Sequence, residues 1–453
     1  MTASINVCSW HSHITRKPIE ALGQVSVYAF AFTAWFMALS NQLALELCVI
    51  TCLFSKSARR IFIKDPVIKL SLLFALFFLV ETVRGIKLFP ESAERQWFDY
   101  GRMMLFLSFP FVGWWLKAEL RRINLILLLA LTGQLLGILR FAKSDDVIHF
   151  HTDWQTGFQM TPASSGLISA NAILGMIIFM PRIIAGIRHS QYMGFQLTAW
   201  LVAGYLSLFA LISSQSRGTW LGFLILLPIV LGLRYLCPSR SICISKRRVL
   251  VFTGLFFALL SAAVSHNWDA LSRRTAHDAE VVSLVLQGQT SELPDSSFSS
   301  RYHVQIFGIE KWLERPLMGW GTASSRILLS GSGRFELYNN QFDQWMAHMH
   351  NAYLEILVRF GADGAIFFIV LIGLALRPVI KARQEGQLPF DYYLFILGSL
   401  ALTAIWGLSS HFFEEGWRNY WLILMGIAYT FIYPIAEPPD FNKCGSKITE
   451  FTG

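Results

Sequence analysis

Charge is scarce in this chain. Only 15% of its 453 residues are Asp, Glu, Lys or Arg, where a soluble domain would carry about 25%. That shortage excludes a large water-soluble body. Cysteine is scarce as well, with six in all. None falls in a stretch read below as outward-facing, so no disulfide framework is expected. Cys8, Cys237, Cys243 and Cys444 map to the opposite face, and Cys48 and Cys52 share one face of a span at i, i+4, the spacing of packing residues. Neither Asp-x-Asp nor His-Glu-x-x-His occurs in an outward stretch. No internal repeat is visible, although many secondary transporters are built from repeats. The opening stretch MTASINVCSWHSHITRKPIE is polar and basic with no short apolar core behind it, so no cleavable signal peptide is expected.

Apolar residues, by contrast, make up 54% of the chain. They gather into runs long enough to cross about 30 Å of hydrocarbon. Twelve spans are expected, at 22–38, 40–55, 67–83, 102–116, 122–140, 165–181, 193–213, 218–236, 249–265, 351–376, 391–410 and 418–435. The fold class is therefore an all-α polytopic membrane protein of about twelve transmembrane helices. Every second loop is basic: KSARRIFIK at 56–64, KAELRR at 117–122, Arg182 with Arg188, RYLCPSRSICISKRR at 234–248 and RPVIKAR at 377–383. By the positive-inside rule these loops and both termini are cytoplasmic. The net charge of +9 then reflects orientation and attraction to anionic membrane lipids, and needs no nucleic acid.

Four regions follow. Residues 1–265 hold spans 1–9, 266–350 form one large periplasmic loop, 351–435 hold spans 10–12, and 436–453 are a cytoplasmic tail. In the loop, Val304, Phe307, Trp312 and Leu313 recur at near-helical spacing, until Pro316 and Gly319-Trp320-Gly321 stop them. This reads as an amphipathic helix, either lying on the membrane or roofing a cavity.

The outward lip carries the chemistry. Arg217 lies in SQSRGTW between spans 7 and 8, and the polar residues Ser213, Ser214, Gln215 and Ser216 set it apart from an arginine that merely snorkels along the lipid face. Arg301 begins the amphipathic helix; alone it would read as a solvated charge. Arg84 and Arg102 lie near Glu81 and Asp99, as structural ion pairs would. His350 and Asn351 stand where span 10 begins. His348 would point about 200° away from His350 in a helix, but would share its face in extended backbone. Glu355 follows Asn351 at i, i+4, and is placed to orient a neighbour or to pair with Arg359. Gly361 and Gly364 would let another helix approach closely. His149, His151 and Asp153 could line one side of a strand in HFHTD, but that stretch looks like an ordinary polar loop.

Three fragments in this order, SSQSRGTWLGFL, RYHVQIFGIEKWLERPLMGWGTAS and HMHNAYLEILVRFGADG, resemble the O-antigen ligase/polymerase superfamily. The pattern His-Asn-x9-Gly-x-x-Gly, met at His350, Asn351, Gly361 and Gly364, is most similar to the branch that joins O-antigen to lipid A-core. The likeness covers about residues 160–435. It implies a GT-C-like glycosyltransferase bundle in the bacterial inner membrane, with its active site facing the periplasm. The donor would be an O-antigen on undecaprenyl diphosphate and the acceptor a sugar hydroxyl of lipid A-core, joined with inversion and with no metal or other cofactor. His350 would be the general base. Arg217 and Arg301 would bind the diphosphate, each charge-assisted bond contributing about 1.5–3 kcal/mol. Ser216, His348, Asn351 and Glu355 would support them, and Gly218, Gly361 and Gly364 would belong to the structural motif. A polymerase or a protein O-oligosaccharyltransferase of the same superfamily is the nearest alternative, and a secondary transporter is the alternative from another class.

Overall fold

The computed structural model describes residues 18–142, 155–187, 192–236, 279–290, 296–335, 347–413 and 415–432, with isolated positions between 254 and 294. Hydrocarbon offers backbone groups no partner, so an apolar run must satisfy them within itself. Every regular element among the described residues is accordingly helical. In chain order these are α1 (Pro18–Thr33), α2 (Ala38–Phe54), α3 (Lys56–Phe62), α4 (Pro66–Leu88), α5 (Ala93–Phe106), α6 (Phe109–Leu116), α7 (Leu120–Phe141), α8 (Pro162–Ile187), α9 (Met193–Ser213) and α10 (Arg217–Leu236). Then follow α11 (Ser297–Glu314), α12 (Ser324–Gly331), α13 (Ala352–Gln384), α14 (Phe390–Gly407) and α15 (Glu415–Tyr429).

Among the described residues, seven of these helices are long and apolar enough to cross a membrane, or eight if α2 and α3, bent by 84°, count as one span. The ninth expected span, 249–265, falls almost wholly outside the described residues. The fourth, expected at 102–116, is not one helix. It divides at Leu107 and Ser108 into α5 and α6. The charges of Arg95, Asp99 and Arg102 make α5 a polar helix that starts nine residues earlier, and Pro110 sits in the first turn of α6, where a missing N–H does no harm.

The bundle closes by small-residue contacts and stacked aromatics. A Cβ on Gly113 of α6 would stand 2.6 Å from the Gly426 carbonyl oxygen of α15, so the two backbones touch. Phe412, Trp417 and Trp421 stack in succession, with centroids 4.7 and 5.3 Å apart. The two ends of the bundle differ. At one, Arg182 of α8 pairs with Asp391 of α14, its Nη2 donating to Oδ1 at 3.0 Å. The other end collects the starts of α10, α13 and α15 and the ends of α4, α9 and α14.

An unbroken helix of 33 residues would measure about 50 Å, well beyond the hydrocarbon thickness. α13 is in fact broken at Gly361, where φ is 62° and ψ −163°. Residues 362–384 alone rise about 35 Å, so the break lies at the membrane lip. The Pro316–Gly321 turn fills it. Ala362 and Asp363 donate their N–H groups to the Pro316 and Leu317 carbonyls at 2.8 and 3.1 Å, and the N–H groups of Trp320 and Gly321 reach the Val358 and Arg359 carbonyls, both at 2.9 Å. Gly361 and Gly364 were expected to admit another helix. Instead, a Cβ on Gly361 would stand 2.0 Å from the Leu317 oxygen, and one on Gly364 would meet Phe360 of the same helix at 2.2 Å.

Gly361→Ala therefore combines a left-handed φ with a backbone collision, and should lower stability by about 1–3 kcal/mol. Gly373→Ala, where a Cβ meets nothing within 4 Å, should leave it unchanged. Thermal unfolding of both variants in detergent checks the contrast.

Candidate active site at the membrane lip

The site forms just before α13. His350 has φ +49°, a left-handed conformation uncommon for a residue with a Cβ and costing about 1–2 kcal/mol. Its surroundings hold it there. Glu355, fully buried, accepts the Met349 N–H at 2.8 Å. The His350 carbonyl accepts from Gln305 Nε2 of α11 at 3.4 Å. Asn351 caps α13, its Oδ1 accepting from Tyr353 and Leu354 N–H at 3.1 and 3.2 Å. That oxygen is thus engaged by the helix start.

Glu355 does pair with Arg359, whose Nε donates to Oε1 at 2.6 Å. The guanidinium also donates to the Thr322 carbonyl at 2.8 Å, approaches Asp99 Oδ2 at 3.4 Å and lies over the Phe413 ring at 5.0 Å. One buried ion network thus joins α13, the polar helix α5 and the loop turn. Arg84 pairs with Glu81 and donates to the Gly319 carbonyl at 2.8 Å, holding the same turn from α4. Arg102 stands 3.9 Å from Asp99. The structural pairing expected of these two arginines is what the structure contains.

Three imidazoles converge. His350 meets His348 edge to face with centroids 4.1 Å apart, and His348 stacks on His411 at 3.6 Å and 21°. Burial, then the Arg359 and Arg301 guanidinium groups, lower the His348 pKa to about 3. Burial, then His348, His350, Arg359 and Arg102, hold His411 well below the ordinary histidine value. Arg301 sits in the second turn of α11; the helix itself is opened by Ser296, whose Oγ accepts from Ser299 N–H at 3.1 Å.

The structure thus brings His348, His350, Asn351, Glu355 and Arg301 together. Arg217, Ser216 and Gly218 reach the same end on the neighbouring α10. Ser216 is buried, with its hydroxyl 2.8 Å from that of Thr219. Gly218 lets α10 lie against the end of α14, since a Cβ there would fall 1.8 Å from Ser409 Oγ, two residues before His411. Sequence reading missed His411, Arg359 and Asp99 as site members. The signals were present: His411 follows span 11 on the outward side, and Arg95, Asp99 and Arg102 recur at i, i+4 and i+7. His149, His151 and Asp153 lie outside the described residues. Among the described residues, no three His, Cys, Asp or Glu side chains are grouped so as to hold a metal ion.

Because the His348 and His411 pKa values are lower in the folded chain, the unfolded chain takes up protons first as pH falls. Stability should be lost from about pH 6.5 downward, toward pH 3 for His348. Thermal midpoints at pH 7.5 and pH 5 should show this loss, and His348→Asn should shrink it.

The family described as O-antigen ligase matches residues 202–369, from α9 through the loop and past the break in α13. A Rickettsia conorii protein whose name proposes a polysaccharide ligase is 28% identical over 123 residues, 25% of this chain. The match spans 29% of that relative's length. The matched segment contains Arg217, Arg301, His348, His350 and Gly361, and both findings agree with the resemblance to the O-antigen ligase superfamily read from the sequence.

Proposed function

We propose that this protein is an O-antigen ligase, transferring a glycan from undecaprenyl diphosphate to a sugar hydroxyl of lipid A-core at the periplasmic face of the bacterial inner membrane. The observation that carries the reading is the gathering, at one membrane lip, of a histidine in constrained backbone with the cations of Arg301 and of the start of α10. Both substrates are lipids whose reactive sugars would lie at that depth.

The diphosphate is already a good leaving group, so the protein must supply cations for it and a base for the acceptor. Arg217 and Arg301 present guanidinium forks that match phosphate oxygens. The acceptor oxygen attacks the anomeric carbon from the side opposite the diphosphate. The carbon–oxygen bond to diphosphate breaks, its electron pair leaves with the phosphate, and the hydroxyl proton passes to the His350 imidazole. The configuration inverts. His348, with its pKa near 3, is too weak a base for this role near neutral pH. It packs His350 instead, while Glu355 holds the backbone through Met349.

General-base assistance contributes about 10²–10⁴-fold in rate. His350→Ala should therefore abolish most transfer, while His348→Ala should lose much less. Arg217→Ala and Arg301→Ala should each impair transfer strongly, with Lys rescuing only in part because it lacks the fork. The assay is complementation of a deletion strain, read on lipopolysaccharide gels. The deletion should lose the whole O-antigen ladder and accumulate lipid-linked polymer; a core carrying one repeat unit would mean a polymerase. Wild-type ladders from both arginine variants would overturn the clamp.

The orientation has its own test. Alkaline phosphatase fused within 280–295 should be active, and at residue 385 inactive. The reverse pattern would place the site in the cytoplasm.

A further inference from the structure

The amphipathic helix α11 has two apolar faces, and only one has a protein partner. Val304, Phe307 and Gly308 are buried against α13, in a cluster with Met349, Leu354 and Val358. Leu313 was expected on that same face, but nine residues separate it from Val304, which turns it about 180° away. It is 63% exposed. Ile306 and Ile309 share its side, and Leu317 and Met318 continue the stripe into the turn; all four are exposed.

The position of the stripe says what it meets. Leu317 and Met318 belong to the turn docked in the α13 break, at the level where about 35 Å of spanning helix begins. Arg84, at the end of α4, donates to the Met318 carbonyl. Just below lie Val80 and Val83 of α4 and Ile366 and Ile369 of α13, apolar and exposed on helices of membrane-crossing length and hydropathy. The stripe is continuous with that lipid-facing surface. Arg315, just past the end of α11, lies over the Trp320 ring at 4.3 Å, as cations and aromatics do at headgroup depth.

We propose that this outward face of α11 and the following turn rest in the headgroup–acyl boundary of the bilayer at the site end, in contact with phospholipid. The helix is then a membrane-seated part of the site, since its Gln305 reaches the His350 carbonyl and its Arg301 stands close enough to depress the His348 pKa. This goes beyond the transfer reaction and does not depend on it.

The test uses full-length protein in vesicles of phosphatidylethanolamine and radiolabelled phosphatidylglycerol. A benzophenone amino acid replaces Leu313, Leu317 or, as the control, Ser330, which is exposed on α12. After irradiation, positions 313 and 317 should carry labelled lipid and position 330 at least fivefold less. Equal labelling at 330, or crosslinks from 313 and 317 only to this chain or a second copy of it, would overturn the proposal. No outcome depends on glycan transfer, so its failure is distinguishable from failure of the ligase reading.

Discussion

A backbone break at a membrane lip has to be mended by hydrogen bonds from elsewhere in the protein. An unsatisfied amide or carbonyl in hydrocarbon costs several kcal/mol, and α13 breaks at Gly361, where membrane begins. The Pro316–Gly321 turn supplies the missing partners, donating to two carbonyls and accepting from two amides. Most of the site's geometry follows from that repair. With the turn in place, the Thr322 carbonyl meets Arg359, Arg359 meets Glu355, and Glu355 takes the Met349 N–H. The strained φ of His350 is the last link. A loop distant in sequence thus determines the pose of one imidazole.

That chain of contacts explains what could be read from sequence. Hydropathy carries the spanning helices because lipid imposes one rule on each run separately. The motif residues His350, Asn351, Gly361 and Pro316 were visible because local backbone needs them: a cap, a break, a turn. Asn351 was legible as a polar residue at the start of span 10, and the backbone geometry adds that its oxygen caps α13. His411 and Asp99 lie 61 and 251 residues from His350, and although their polarity on the lip was legible, nothing near them in sequence fixes that one stacks on His348 and the other meets Arg359. The division between α5 and α6 was missed for a related reason: the apolar run at 102–116 is continuous, and the polar face of α5 shows only when the residues before it are read at helical period. Leu313 was misassigned because spacing of nine was taken as near-helical repetition, whereas in a helix it reverses the face.

The cations at the lip have two consequences that combine on the proposed reading. Arg301 and Arg359 help drive the His348 pKa to about 3, and Arg359 and Arg102 add to the lowering at His411. Neutral imidazoles can pack ring on ring in this way; protonated ones would repel one another and the arginines. The same field attracts a diphosphate. When that anion arrives, it offsets the guanidinium charges, and the proton affinity of the neighbouring imidazoles must rise. Arg301, which would bind the leaving group, thus also helps to keep His348 neutral while the site is empty, so that the stacked imidazoles hold their packing until the donor arrives.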